Sequence, residues 1–293
     1  MPASPRPGGR EYMAYPNLKQ SVWLVVLLVV ATNAFVLVLH FLGVSSETAT
    51  DYLGWIVNLP AIALLVLYAQ RRSGRAWSDV LLFKTVPWKM YLPLAVSIVG
   101  LGLIASNIAY LVQYVFPVPK EILAVFLDLA SSKTPFGLAF YVLAIQAPLT
   151  EEVLCRGVIL GGLLANGTRG RAILWSAVLF GVLHMNPWQF PGALVVGLVF
   201  AWWVVRTGSL LPALCGHALN NFLSLISVRF EWFRPIEEWH IVEFLPWWLF
   251  AGGIILAVVG LWWFDQIAKR EGTPLEPCSD PEQAVAPDDR EPV

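Results

Sequence analysis

The sequence predicts an all-α membrane protein, a polytopic bundle of about eight transmembrane helices with both termini in the cytoplasm. Three observations lead to this fold class: the composition, the long apolar runs, and the position of basic residues in alternate loops. Of the 293 residues, 57% are hydrophobic and 13% are charged, whereas soluble domains carry about 25% charged residues. A run of roughly 20 mainly apolar residues is needed to cross the hydrocarbon core of a bilayer.

Eight apolar segments are candidates for these spans. The first is longer than the roughly 7–15-residue core of a signal peptide and lacks its cleavage site, so we expect it to remain as a membrane helix. The fourth contains Pro148, and a proline inside a helix removes a backbone donor and kinks the chain. Bent backbone at membrane depth is tolerated where it lines a cavity. The segments cover about 20–42, 53–69, 91–116, 136–164, 171–187, 190–206, 209–228 and 246–264.

Basic residues occupy one set of alternate loops, namely those after the second, fourth, sixth and eighth segments. Because Lys and Arg accumulate on the cytoplasmic side of a membrane, both termini are expected in the cytoplasm. The segment 119–133 has apolar residues at helical spacing, which suits either an interfacial helix or a packed connector. The net charge of −1 provides no basic surface for nucleic acid, so nucleic acid is excluded as a partner.

The most informative segment contains Glu151, Glu152 and Arg156 within an apolar run. Ionisable side chains at membrane depth are costly and indicate function. Residues four apart share a helix face, so Glu152 is expected to pair with Arg156 while Glu151 points elsewhere. An ion pair with Arg156 needs only one of the two glutamates, so the other has no evident partner. On spacing alone, Glu151 is the candidate general base, with Glu152 and Arg156 as its supporting pair.

Two other apolar segments carry His184 and His217, and Asn221 lies one helical turn after His217 with Asn220 as its competitor. Each of these side chains, taken alone, could serve only to form a hydrogen bond between two helices. Together with the glutamates they suit water activation by a carboxylate and a histidine, and oxyanion stabilisation by a second histidine and an asparagine. A zinc site of two histidines and one carboxylate is the alternative, built from Glu151, His184 and His217 on separate helices.

These segments resemble the three motifs of the CPBP family, the CAAX proteases and bacteriocin-processing enzymes, also called the Abi family. The family pattern reads E-E-x-x-x-R, F-x-x-x-H and H-x-x-x-N. The corresponding segments here are 151-EEVLCR-156, 180-FGVLH-184 and 217-HALNN-221, in the same order. The resemblance covers roughly residues 136–228; the other spans resemble the family only in being membrane helices.

The resemblance implies an intramembrane glutamic endopeptidase that needs no cofactor and cuts a peptide or protein substrate at the membrane, such as a lipid-modified peptide. Glu151 with His184 would activate water, and His217 with Asn221 would form the oxyanion hole. Glu152 and Arg156 would support the site. The alternatives are a zinc-dependent protease that uses the same residues, a non-enzymatic immunity or scaffold protein, and a proton-relaying transporter. The compact loops favour a bacterial plasma membrane.

This interpretation divides the chain into five parts, of which the third is the catalytic core. The last part, rich in Pro, Glu and Asp, is expected to be disordered. The parts are a cytoplasmic N-terminal segment (1–19), N-terminal membrane helices and connectors (20–135), the catalytic core (136–228), an outer loop with the last membrane helix (229–268) and a cytoplasmic tail (269–293).

Overall fold

The computed structural model describes residues 15–43, 54–120, 123, 130, 134–230, 244–271 and 274–275, with only the backbone of 54–58. All regular structure in this part of the chain is helical, and it contains no strand. The all-α fold class is therefore confirmed. Most of the segment 119–133, most of the residues after 271 and the first 14 residues lie outside the described residues, so the predictions for these regions remain predictions.

Nine helices are described, and every predicted span coincides with one of them. A single 3₁₀ turn, Trp88–Met90, leads into α4. The helices are α1 Leu18–Phe41, α2 Gly54–Ser73, α3 Trp77–Leu81, α4 Tyr91–Val115, α5 Phe136–Ala165, α6 Arg169–Leu183, α7 Phe190–Thr207, α8 Leu211–Arg229 and α9 Trp247–Glu271.

Six of these helices are long and apolar enough to cross a membrane, namely α1, α4 with its 3₁₀ turn, α5, α7, α8 and α9. The predicted count of eight spans is not confirmed. The helix α2 ends in the basic residues Arg71 and Arg72. The helix α6 has 15 residues and is about 22 Å long, which is shorter than the roughly 30 Å hydrocarbon core. The cytoplasmic position of the termini remains a prediction.

The helix α5 is the centre of the bundle. In the 18-residue stretch of α5 used to assess it as a membrane span, 56% of the residues are buried, compared with 17–44% in the other five candidate spans. It packs against α2, α3, α6 and α8. The polar residues of the E-E-x-x-x-R segment therefore face other helices, as expected for ionisable groups at membrane depth.

Two stretches of α5 are widened into π-helix, and they flank the turn that carries the two glutamates. They are Tyr141–Gln146 and Val153–Leu160. Pro148 lies directly after the first stretch, and the backbone stays right-handed helical on both sides of it. The chain therefore stays helical through Pro148 while its helical register changes, and the predicted kink remains a prediction. Such π segments inside α-helices occur frequently at functional sites.

The helices α4 and α9 approach closely through small residues. A Cβ atom added at Gly100 would overlap the backbone of Gly253 and Ala257, with the Cα of Ala257 only 2.9 Å away. At Gly102, on the same helix, an added Cβ would meet nothing within 4 Å. Small residues at such contacts let two membrane helices pack backbone to backbone.

These two glycines form a matched pair for a stability test. Gly100→Ala is expected to push α4 and α9 apart and to lower the free energy of unfolding by about 1–3 kcal/mol. Gly102→Ala should raise it by about 0.5–1 kcal/mol, because alanine is the better helix former. Thermal unfolding of both variants in one detergent measures the difference. Equal effects of the two substitutions would contradict the close helix contact.

Candidate active site

The predicted pair of Glu152 and Arg156 is confirmed. The Arg156 Nη1 donates to Glu152 Oε1 at 3.0 Å, and both side chains are completely buried. The Arg156 Nη2 donates to the carbonyl of Gly197 on α7 at 3.0 Å. A buried ion pair needs such further bonds, because desolvation of its two charges is costly. The pair therefore joins α5 to α7 as well as neutralising one carboxylate.

Two phenylalanines enclose the guanidinium of Arg156. Its Cζ lies 4.3 Å from the ring centroid of Phe180 and 5.6 Å from that of Phe200. A guanidinium over an aromatic face gains electrostatic attraction, and the gain is larger away from water. Gly197 permits this packing, because an added Cβ there would lie 3.0 Å from Phe180 Cδ1. The aromatic rings thus close the inner side of the charged cluster.

His217 bonds the buried carboxylate and approaches the second one. Its Nδ1 lies 2.9 Å from Glu152 Oε1, and its Nε2 lies 3.9 Å from Glu151 Oε2. Its ring stacks on Phe200 with a centroid separation of 5.4 Å and an interplanar angle of 27°. Because an ionised carboxylate only accepts hydrogen bonds, Nδ1 is the protonated nitrogen here and donates a hydrogen bond to Glu152 Oε1. The opposite nitrogen, Nε2, is thereby directed toward Glu151.

Glu151 and Glu152 differ sharply in their surroundings. The side chain of Glu152 is completely buried and that of Glu151 is 23% exposed. Glu151 Oε2 is itself buried and has no hydrogen-bond partner among the described residues. Its distance of 3.9 Å from His217 Nε2 is too long for a direct hydrogen bond. At such a separation a bridging water molecule can join two polar atoms. Glu152 is thus paired through Oε1, although its Oε2 also has no hydrogen-bond partner among the described residues, whereas Glu151 is partly exposed and unpaired there.

His184 caps the C-terminal end of α6 and is half-buried. Its Nδ1 lies 3.0 Å from the carbonyl oxygen of Phe180. Since a carbonyl only accepts, Nδ1 donates, which leaves Nε2 of the neutral ring as an acceptor. His184 and His217 both contact the ring of Phe180, with centroid distances of 5.1 and 5.4 Å. Within the described residues, no hydrogen bond joins His184 to either glutamate.

Asn221 lies on α8 and bonds to α5. Its Nδ2 donates to the carbonyl of Leu143 at 2.9 Å, and its Oδ1 accepts from Asn220 Nδ2 at 3.2 Å. The structure therefore brings Glu151, Glu152, Arg156 and His217 into one cluster. It attaches His184 to that cluster through Phe180, and Asn221 through its bond to α5.

The zinc alternative requires Glu151, His184 and His217 to surround one point. In the described part of the chain, no group of three or more His, Cys, Asp and Glu side chains is arranged to hold a metal ion. The Nδ1 atoms of the two histidines bond the Phe180 carbonyl and Glu152, so their Nε2 atoms are the nitrogens that would have to hold a metal ion. Because these three side chains are not gathered around one point among the described residues, the proposed function uses no metal, and zinc dependence remains a prediction.

Several residues of the site were not among the predicted ones. They are the carbonyl groups of Gly197 and Leu143 and the ring of Phe200. Backbone carbonyls leave no trace in residue identity, and Phe200 is one of 16 phenylalanines. Phe180 is different, because it is the first residue of the F-x-x-x-H segment and its spacing from His184 marks it.

Residues 133–223 match the family model described as Type II CAAX prenyl endopeptidase Rce1-like. No curated protein and no solved structure matches the chain. The matched region contains all three motifs and confirms the resemblance to the CPBP family. The match supports three statements: the protein is integral to a membrane, it is a hydrolase of the CAAX protease type, and it acts on peptides. Over residues 133–223 the chain therefore resembles the type II CAAX prenyl endopeptidases.

Proposed function

We propose that this protein is an intramembrane glutamic endopeptidase that hydrolyses a peptide bond of a membrane-associated, lipid-modified peptide. One observation carries the proposal. Of two adjacent carboxylates, Glu152 is completely buried and its Oε1 accepts from Arg156 and His217, while Glu151 is 23% exposed, has no hydrogen bond to a described residue and lies 3.9 Å from His217 Nε2. A pair of acids in unlike surroundings is typical of a site where one acts as base and the other as support.

In this mechanism Glu151 and His184 hold a water molecule next to the substrate carbonyl. Glu151 accepts a proton as the water oxygen attacks the carbonyl carbon, and the carbonyl oxygen becomes an oxyanion. When the tetrahedral intermediate collapses, the C–N bond breaks and the proton passes to the leaving amine. The products are a carboxylic acid and an amine, and the Glu151 carboxylate is restored.

His217 and Asn221 donate hydrogen bonds to the oxyanion. Because Nδ1 of His217 already donates to Glu152, donation from Nε2 requires a proton on both nitrogens. The resulting imidazolium and Arg156 balance the two carboxylates. When Glu151 takes up the proton, the negative charge moves to the oxyanion, so the net charge of the site stays constant. Such preorganised donors contribute about 3–4 kcal/mol each to transition-state stabilisation.

The proposed substrate class is taken from the description of the matching family model, type II CAAX prenyl endopeptidase. The test uses the full chain in liposomes with two peptides that differ only in a prenyl group on the cysteine of a C-terminal CAAX sequence. Mass spectrometry is expected to show cleavage of the prenylated peptide at one bond. If neither peptide is cut while the protein is folded, the prenyl substrate is wrong. A bacterial plasma membrane is the proposed location.

Removal of metal separates the glutamic mechanism from the zinc alternative. Protein stripped with a strong chelator should cleave the prenylated peptide at an unchanged rate, because Glu151 supplies the base. Addition of zinc should not raise that rate. Loss of activity in the stripped protein, with recovery on adding zinc, would favour the metalloprotease. A folded protein that cleaves nothing in either state would favour the non-enzymatic immunity or scaffold role.

A further inference from the structure

The side-chain amide of Asn221 is held from both of its ends. Its Nδ2 donates to the Leu143 carbonyl at 2.9 Å, and its Oδ1 accepts from Asn220 Nδ2 at 3.2 Å. A backbone carbonyl only accepts, so the NH₂ group must face Leu143 and the oxygen must face Asn220. The terminal torsion of asparagine is otherwise broad and roughly two-fold. These two bonds therefore select one orientation of the amide.

One N–H of Asn221 remains after these bonds are counted. An amide has two N–H donors and one oxygen, and a single donor is used by Leu143. The second N–H has no hydrogen-bond partner among the described residues. In the proposed function it is this N–H that donates to the oxyanion. Its direction depends on the two bonds that hold the rest of the amide.

The Leu143 carbonyl is available to Asn221 because of Pro148. At the end of the first π stretch, the N–H of Ala147 donates to the carbonyl of Val142, five residues earlier. In this register the next donor, at position 148, would serve the carbonyl of Leu143. Proline has no N–H. The carbonyl that loses its backbone donor is the one that Asn221 reaches from α8.

We infer that Pro148 and Asn220 are positioning residues for Asn221. Pro148 keeps the Leu143 carbonyl free for the Asn221 NH₂ group, and Asn220 holds the Asn221 oxygen. Neither touches the substrate; each acts by fixing the direction of the remaining N–H. The inference rests on the proposed function, because it presumes that Asn221 donates to the oxyanion. Neither Pro148 nor Asn220 occupies a specified position of the E-E-x-x-x-R, F-x-x-x-H or H-x-x-x-N motif.

The first test is Pro148→Ala, which supplies an N–H that competes for the Leu143 carbonyl. Loss of one complete oxyanion donor lowers kcat by about 10²–10³-fold, so partial loss of its orientation should lower kcat by about 10-fold. KM for the prenylated CAAX peptide should not change. The Tm should rise, because proline is the poorest residue in a helix interior. If Pro148 had a purely structural role, Pro148→Ala would raise the Tm without lowering kcat.

Pro60→Ala is the matched control, since Pro60 is an exposed proline inside α2. This variant should also raise the Tm, and its kcat should equal that of the unmodified protein. An unchanged kcat in Pro148→Ala, or an equal loss in both variants, would overturn the role of Pro148.

The second test changes the other end of the amide. Asn220→Ala removes the donor to Asn221 Oδ1, and Asn220→Asp replaces that donor with a carboxylate that repels the oxygen. We expect kcat to fall in both variants, further in Asn220→Asp, with KM unchanged. Equal and full activity in both would overturn the role of Asn220.

A double-mutant cycle shows whether Pro148 acts through Asn221. Asn221→Ala alone should lower kcat by about 10²–10³-fold, and adding Pro148→Ala should cause no further loss. If the second substitution lowers kcat by the same factor in both backgrounds, the positioning inference fails while the proposed function stands. If Asn221→Ala alone is fully active, the oxyanion assignment in the proposed function fails.

Discussion

Glu151→Gln is expected to abolish peptide cleavage while the protein remains folded in the membrane. Glutamine has nearly the shape of glutamate, but it does not accept the proton of the attacking water. Loss of a general base typically lowers the rate by about 10²–10⁴-fold. Stability should persist, because Glu151 Oε2 lies 3.9 Å from His217 Nε2 and makes no hydrogen bond with the described residues. Cleavage of a prenylated CAAX peptide, followed by mass spectrometry, measures the effect.

The adjacent glutamate is the matched control for this substitution. Glu152 is completely buried and accepts from both Arg156 and His217. Glu152→Gln should therefore lower the Tm strongly, whereas Glu151→Gln should leave it nearly unchanged. Normal cleavage by a folded Glu151→Gln variant would end the general-base role of Glu151. A protein whose biological activity survives Glu151→Gln unchanged would instead act as a scaffold.

Arg156→Ala is expected to produce the largest loss of stability. It leaves the Glu152 carboxylate in the protein interior without its guanidinium, and it removes the bond to the Gly197 carbonyl and the contacts with two aromatic rings. Removal of one partner from a buried ion pair destabilises a protein by about 3–5 kcal/mol. Thermal unfolding and accumulation in membranes measure this effect. An unchanged Tm would contradict the role of Arg156 in joining α5 to α7.

Arg206→Ala is the control for the loss of an arginine charge. Arg206 pairs with Asp265, but these side chains are 27% and 21% exposed. Asp265 also keeps a second cation, since Lys269 Nζ lies 2.7 Å from its Oδ2. Exposed pairs contribute about 0–1 kcal/mol, so Arg206→Ala should lower the Tm much less than Arg156→Ala. The contrast isolates burial as the cause.

The sequence predicts only part of the structural effect of Pro148, and the π-helical stretches in α5 explain why. The sequence predicts a disturbance at Pro148, and helix interiors rarely tolerate proline. It does not indicate that α5 continues by shifting to i→i−5 hydrogen bonds before the proline. That shift depends on neighbouring helices, because an acceptor left without its backbone donor must be satisfied elsewhere. Here the donor comes from Asn221, which lies 78 residues along the chain.

The sequence by itself determined the all-α fold class, the approximate positions of the long helices in the described part of the chain, the Glu152–Arg156 pair and the family resemblance. These features depend on apolar runs and on i,i+4 spacing, which are local properties of the chain. The count of eight spans remains a prediction, since six helices in the described part of the chain are long and apolar enough to cross a membrane.

Only the tertiary structure decided which groups meet around α5. The bond from Arg156 to Gly197 joins residues 41 positions apart, and that from His217 to Glu152 joins residues 65 positions apart. Helical periodicity gives the direction of a side chain about its own axis, but it does not give the helix that lies opposite. That neighbour is chosen by the packing of whole helices, and this packing pairs Glu152 Oε1 with Arg156 and His217 while it leaves Glu151 partly exposed beside them.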